Sequence, residues 1–213
     1  MATQVYAYAR AFTQTHSIVF LSDNLRNTLR EVIRENGLSP EKLMQDWETI
    51  ERGIQTWLRT GHLNKIVVEF CKSGALAASA RWEFPIGYVG SGVDDDMWLD
   101  KAYLRQLIAK SARPASDCTY RIVLCTDSGA PTVAGFTDCT FLATGQLAAR
   151  QAGIVIATGH MTAGATYWRQ FRCLLPRRLL TSSENGWSLA IRNARMQRNA
   201  RPTCANAFAT ASM

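Results

Sequence analysis

Along the first third of the chain, apolar residues recur in steps of three and four. Ile18, Leu21, Leu25, Leu29, Val32 and Ile33 share one stripe, and Arg26, Asn27, Arg30, Glu31 and Arg34 fill the other side, as in a helix that buries one face. The spacing predicts a helix from about Thr13 or Ser17 to Glu35. It stops at Asn36-Gly37, because glycine accepts the left-handed conformation that ends helices. Ser39-Pro40-Glu41 then reads as a second start, with a capping serine, a proline at the first helical position and an acid near the dipole's positive end. Its stripe is Leu43, Met44, Trp47, Ile50, Ile54, Trp57 and Leu58, closed by Gly61.

Beyond Gly61 the period changes. Lys65 to Cys71 and Leu76 to Tyr88 are rich in β-branched and aromatic residues, and Ser73-Gly74 between them predicts a hairpin turn. A loop over Gly90 to Asp96 follows. Trp98 to Ala112 returns to helical spacing, and Pro114 marks its exit. Thr119 to Cys125 alternates inward and outward residues and is the clearest strand. From Asp127 to Trp168 the chain holds Gly129, Gly135, Gly145, Gly153, Gly159 and Gly164 with short strand-like pieces such as Ile154 to Ala157. A long segment with little secondary structure of its own is expected there, which is a mark of functional or mobile chain. The first residues, Ala2 to Gln14, read as an extended start carrying Tyr6, Tyr8 and Phe12.

Charge changes the picture only at one end. The 213 residues carry 24 basic and 17 acidic side chains, a net +7. Eight of the arginines and a single acid, Glu184, fall from Arg169 onward, so residues 1–168 are balanced. The neutral body lacks the electrostatic footprint on which nucleic-acid affinity rests. A hydrophobic content of 47% with 19% charged residues excludes a wholly disordered chain. No apolar run approaches the ~20 residues that cross a bilayer, and Gln4, Arg10 and Gln14 interrupt any signal-peptide core. The six cysteines at 71, 118, 125, 139, 173 and 204 form no Cys-x-x-Cys pair and read as reduced thiols in a cytoplasmic protein.

Candidate chemistry is sparse. The chain has no phosphate-binding loop, no dinucleotide fingerprint and no His-Glu-x-x-His helix. Asp94 to Asp96 lack the spaced acids of a calcium loop and read as a solvated loop or an acidic cap on the next helix. His16, His62 and His160 stand at no metal-ligand spacing, so no metal or other cofactor is expected. A Cys125–His160 nucleophile pair has no local support, and a cysteine inside a strand is ordinarily a small buried apolar residue. Trp47, Trp57 and Trp98 read as core. No catalytic constellation emerges, and a binding module is expected.

The order of elements carries specific words. Thr15-His-Ser17, Ser22-Asp-Asn24, Asn36 to Pro40, Trp47, and Ile54 to Gly61 with its Thr-Trp-Leu centre resemble the bacterial HORMA domains of family one. Arg81-Trp82, the acidic loop ending at Trp98, Tyr120-Arg-Ile122, Gly135-Phe136, Ala163-Gly164 and Tyr167-Trp-Arg169 match as well, so the resemblance covers about residues 4–169. It implies an α+β fold with three helices on one face of a mainly antiparallel sheet and a C-terminal safety belt. It also implies a non-catalytic signalling module of CBASS anti-phage defence. Such modules close the belt around a short closure-motif peptide, then bind and activate a cGAS/DncV-like nucleotidyltransferase (CD-NTase). A AAA+ remodelling ATPase engages the N-terminal segment and reopens them.

On that resemblance, residues 127–168 are the candidate belt and Tyr120 to Cys125 the candidate strand edge. Tyr120, Ile122 and Leu124 on the strand and Phe136, Phe141 and Trp168 on the belt become the candidate peptide-binding residues. Ordinary core packing is the competing reading for the aromatics. Tyr6, Tyr8 and Phe12 are candidates for ATPase engagement or for an N-terminal strand. Residues 170–213 run past the family's pattern and are expected to be a basic, poorly ordered tail. The alternative function is a basic nucleic-acid-binding protein acting through that tail.

Overall fold

In the computed structural model, which describes residues 2–89, 97–111, 114 and 117–170 (side chains of 2–13 and 170 excepted), the first helix begins far earlier than its stripe suggests. Helix α1 spans Ala2–Glu35. The extended start expected over Ala2 to Gln14 is corrected to helix, which also removes the N-terminal strand. Ala2, Ala7, Ala9 and Ala11 are strong helix formers, and no glycine or proline interrupts the run before Gly37. The stripe from Ile18 to Ile33 is buried, and Gly37 ends the helix with φ 82°.

The second predicted helix is two. Helix α2 covers Glu41–Gln45 and α3 covers Trp47–Thr60, parted at Asp46, whose φ −88° and ψ 0° lie in the bridge region. Leu43 and Trp47, four residues apart on either side of the break, both turn into the core. Gly61 closes α3 in the left-handed conformation with φ 76°, as expected. Ser39 caps from one position further back, its hydroxyl accepting the Glu41 N–H at 3.3 Å.

The hairpin forms as β1 (Leu63–Lys72) and β2 (Ala80–Tyr88), turning at Gly74. The third predicted helix starts late. Trp98–Leu99 form a short strand, β3, and α4 runs Lys101–Lys110 behind an Asp100 cap that accepts the Tyr103 N–H at 2.8 Å. Strand β4 is Cys118–Thr126. The expectation of little regular structure over Asp127 to Trp168 holds only for 127–146. After it come β5 (Leu147–Ala157) and β6 (Met161–Gln170), a long antiparallel hairpin. The glycines do not keep this stretch from forming strands: Gly153, with φ 84°, sits at a bulge in β5. The inward face of β6 (Met161, Ala163, Ala165, Tyr167) is half alanine, a weak strand former.

Among the described residues six strands join one sheet in the order β3-β5-β6-β2-β1-β4, each neighbouring pair antiparallel. Helix α1 packs on β5 and β6, α3 on β1 and α4 on β5. A single large core lies between them, from Leu21, Leu25 and Leu29 through Trp57 to Trp82, Phe84 and Tyr167. The fold is α+β, with three helices over one face of an antiparallel sheet and the short α2 beside them. The expectations for the loop 90–96, for Cys173 and Cys204, and for the tail from 171 onward lie outside the described residues.

Candidate peptide-binding edge and belt

Strand β4 ends the sheet, and among the described residues its only strand partner is β1. Its side chains divide by parity. Tyr120, Ile122 and Leu124 point into the large core under the helices, whereas Val123 and Cys125 join Val67 in a small cluster on the opposite face. The Tyr120 hydroxyl accepts the Leu43 N–H at 2.9 Å, tying β4 to α2. The three strand residues singled out from sequence are therefore core residues at most 8% exposed. What β4 offers a ligand is its outer row of backbone groups. Beside its first residues, Leu38, Ser39, Lys42, Gln45, Thr119 and Tyr120 help to line a cavity of about 320 Å³.

The segment after β4 starts on the helix side. Asp127 meets His62 at 2.5 Å between Oδ1 and Nδ1. The Trp57 indole N–H donates to the Pro131 carbonyl at 2.8 Å, and the Arg52 guanidinium donates to the Ala134 carbonyl at 3.2 Å. Phe136 packs edge-on against Trp57. Gly135, at φ 94°, lies so close to α3 that a Cβ there would meet Thr49 Cγ2 at 2.6 Å. Three residues after Phe136 the chain is on the other face, where Cys139 and Phe141 pack against Val67, Val123 and Cys125. Between Phe136 and Cys139 it has crossed from one face of the sheet to the other beside β4, the strand with the open edge.

On the far face the segment meets a charged cluster. Glu69 on β1 is completely buried and accepts from Arg81 on β2 and from Arg121 Nε on β4, the latter at 2.7 Å. The registers place Arg81 and Arg121 directly opposite Glu69 on its two flanks. All three grip the passing backbone. The Leu142 N–H donates to Glu69 at 3.1 Å, Arg81 donates to the Leu142 carbonyl at 2.7 Å, and Arg121 donates to the Thr140 carbonyl at 2.6 Å. Phe141 takes two cations on its ring, Lys65 at 5.2 Å and Arg81 at 5.1 Å. Beyond it, Ala143 makes a bridge with Ala77.

Of the aromatics expected on the candidate belt, Phe136 packs on the helix side and Phe141 on the far side. Trp168 lies instead on β6, opposite Arg81, which stands 5.8 Å from its ring. Tyr6, Tyr8 and Phe12 lie on α1, and their side chains are outside the described residues. Cys125 and His160 are not brought together, since β4 and the β5–β6 turn are separated by β1 and β2. Burial, partly offset by the Arg121 charge, pushes the Cys71 and Cys139 thiols up and away from thiolate chemistry. Among the described residues no three His, Cys, Asp or Glu side chains converge as a metal site, and no helix is long and apolar enough to cross a membrane. The sequence reading missed Glu69, Arg81 and Arg121. A glutamate inside the apolar run Ile66 to Phe70 was the available signal, but only strand register shows its partners.

A family model described as bacterial HORMA domain 2 matches residues 6–171. No protein of curated function matches the sequence. Similar solved structures include a chain of a mitotic checkpoint complex, 12% identical with a TM-score of 0.60, covering 75% of this chain and 98% of that one. Caenorhabditis elegans HTP-2 bound to a HIM-3 closure motif is 16% identical with a TM-score of 0.50, covering 67% of this chain and 84% of that one. A chain of the Escherichia coli MS115-1 CdnC:HORMA-deltaN complex is 18% identical with a TM-score of 0.46, covering 74% and 89%. At these identities the structures speak to the fold alone. The sequence words suggested family one, whereas the model that matches bears the number 2. With that match over most of the chain, and with the sheet and helices arranged as HORMA domains arrange them, this chain belongs to the bacterial HORMA domain 2 family.

Proposed function

We propose that this protein is a peptide-sensing HORMA switch whose belt is fastened in this structure. One observation carries the reading: the segment 127–146 passes around the open edge of β4, held on α3 by Phe136 and on the far face by Phe141. An extended closure peptide added to that edge gains main-chain hydrogen bonds from β4, and the surrounding belt keeps it from leaving sideways. The β5–β6 hairpin pairs with β2, two places from β4, and so leaves the edge unobstructed. HTP-2 in its closure-motif complex offers a precedent for a chain of this fold holding such a segment.

The remaining roles follow the resemblance in the sequence. The closed form binds and activates a cGAS/DncV-like nucleotidyltransferase in CBASS defence, without catalysis of its own. A AAA+ ATPase reopens it through the N-terminal segment with Tyr6, Tyr8 and Phe12. That segment lies in α1, so the ATPase must unwind helix before it can pull. Residues 170–213 are an appendage to the switch, and the protein works in the cytoplasm.

The test starts with a peptide library displayed on phage and selected on the full chain. A captured peptide should slow amide exchange along Cys118–Thr126 and protect residues 127–146 from protease. Added with the protein to the nucleotidyltransferase encoded beside it, the peptide should raise nucleotide-product formation. Unchanged protection of β4 and the belt with saturating peptide would sink the switch. The absence of a nucleotidyltransferase gene beside this one, or no gain in product, would sink the cyclase role.

A further inference from the structure

We infer that Glu69, Arg81 and Arg121 form a charge latch that fastens the belt, and that Arg121 couples the latch to the strand edge. The role in opening and closing rests on the switch proposed above, but the latch itself stands on geometry. A fully buried carboxylate between two guanidinium groups is costly for each lone pair or N–H that lacks a partner. Here the belt supplies three of those partners, and Arg81 Nε is the one buried group of the triad left without any. Glu69 takes the Leu142 N–H, Arg81 gives to the Leu142 carbonyl, and Arg121 gives to the Thr140 carbonyl. Removing the belt would leave three charged groups short of hydrogen bonds on an uncovered sheet face, so the triad favours the fastened state.

Two features separate this arrangement from incidental packing. First, the belt is held through its backbone, so the grip does not depend on side chains at 140 and 142. It resembles strand pairing carried out by charged side chains, which make hydrogen bonds stronger than neutral ones. Second, the triad spans three adjacent strands, with one member each on β2, β1 and β4. Arg121 stands on the very strand whose open edge would receive a peptide. Its Nε bonds Glu69 while its terminal nitrogen reaches Thr140, and it remains partly exposed at 24%. A peptide paired with β4 would hold that strand, and Arg121 with it, in the register the latch needs. Belt and peptide then stabilise each other through one side chain.

The latch can be tested on the full chain with no peptide and no cyclase, by amide exchange at residues 139–143. Glu69→Gln should speed exchange there at least tenfold, with Val68 and Phe70 on β1 staying within twofold of the parent. Arg121→Gln should act in the same direction, and Arg121→Lys should recover part of the loss by keeping the charge beside Glu69. If Glu69→Gln does not fold, the partly exposed Arg121 variants decide the matter. Exchange at 139–143 within twofold of the parent in the folded variants would overturn the latch. So would equal loss of protection across β1, β2 and β4, which would make the triad general packing. For the coupling, a phage-selected peptide should leave Arg121→Gln at least tenfold faster than the parent, and an unchanged off-rate would overturn it. If the parent captures no peptide, the switch reading fails, and amide exchange still decides the latch.

Discussion

The ring of Phe136 stands edge-on against Trp57, centroids 4.9 Å apart and planes at 65°, in a notch that is open because residue 53 is glycine. A Cβ at position 53 would lie 2.5 Å and 2.8 Å from two atoms of the Phe136 ring. The start of the segment after β4, the proposed belt, is therefore seated by an absent methyl group on α3.

Gly53→Ala sets two effects against each other. Helix propensity favours alanine by about 1 kcal/mol, while overpacking costs about 1–3 kcal/mol. The clash should win, because the ring cannot stay where it is. We expect a net loss of about 1 kcal/mol in urea denaturation, with faster amide exchange over residues 129–136. Phe136→Ala should loosen the same residues at a cost of about 2 kcal/mol, since the ring is only partly buried. A Gly53→Ala protein more stable than the parent, with the belt start still protected, would show that the notch does not seat the belt.

Tyr120 should matter to stability through its hydroxyl. It accepts the Leu43 N–H, one of the donors that the first turn of α2 leaves without a helical partner. Tyr120→Phe should cost about 1–3 kcal/mol by leaving that buried donor unpaired. Urea unfolding monitored by circular dichroism measures it, and a cost near zero would mean that water replaces the hydroxyl.

Tyr88 gives a signature at alkaline pH. Burial pushes its hydroxyl up to about 12; the Leu63 backbone hydrogen bond opposes the shift and the Asp127 carboxylate adds to it. An unfolded tyrosine ionises near ~10, so between the two values the unfolded chain binds fewer protons and stability falls as pH rises. Below that window the contribution is fully present. Urea midpoints at about pH 9 and 11 should therefore fall further for the parent than for Tyr88→Phe. Equal falls would place the Tyr88 hydroxyl in solvent.

The tail separates the two functional readings. A chain ending after Gln170 keeps all six strands and should retain peptide capture and cyclase activation. Any nucleic-acid binding should disappear with the deleted arginines and weaken steeply with salt beforehand. Loss of cyclase activation in a folded, shortened chain would transfer part of the function to residues 171–213.

Elements whose signal is local were legible in the sequence. The stripe of Ile18 to Ile33, the stops at Gly37 and Gly61, the turn at Gly74 and strand β4 all appear where their patterns place them. The α1 start and the β5–β6 hairpin were not legible, for opposite reasons. Ala2 to Gln14 carry their helical stripe (Val5, Tyr8, Ala9, Phe12) in alanine, aromatic and β-branched residues that also suit extended chain, and β6 has alternation written largely in alanine and glycine. The candidate site divides in the same way. Phe136 and Phe141 stood out as aromatics in a glycine-rich segment, but which face each would meet was not written nearby.

The sequence by itself determined the helices, the strong strands, the neutral body and the family likeness, because each rests on periodicity or on short words within a few residues. Only the tertiary structure decided that β4 ends the sheet, that the chain crosses faces beside it, and that Glu69 lies between Arg81 and Arg121 beneath residues 140–142. Those relationships join residues 12 to 73 positions apart. Strand register and burial fix them, and both are properties of the packed sheet rather than of any segment within it.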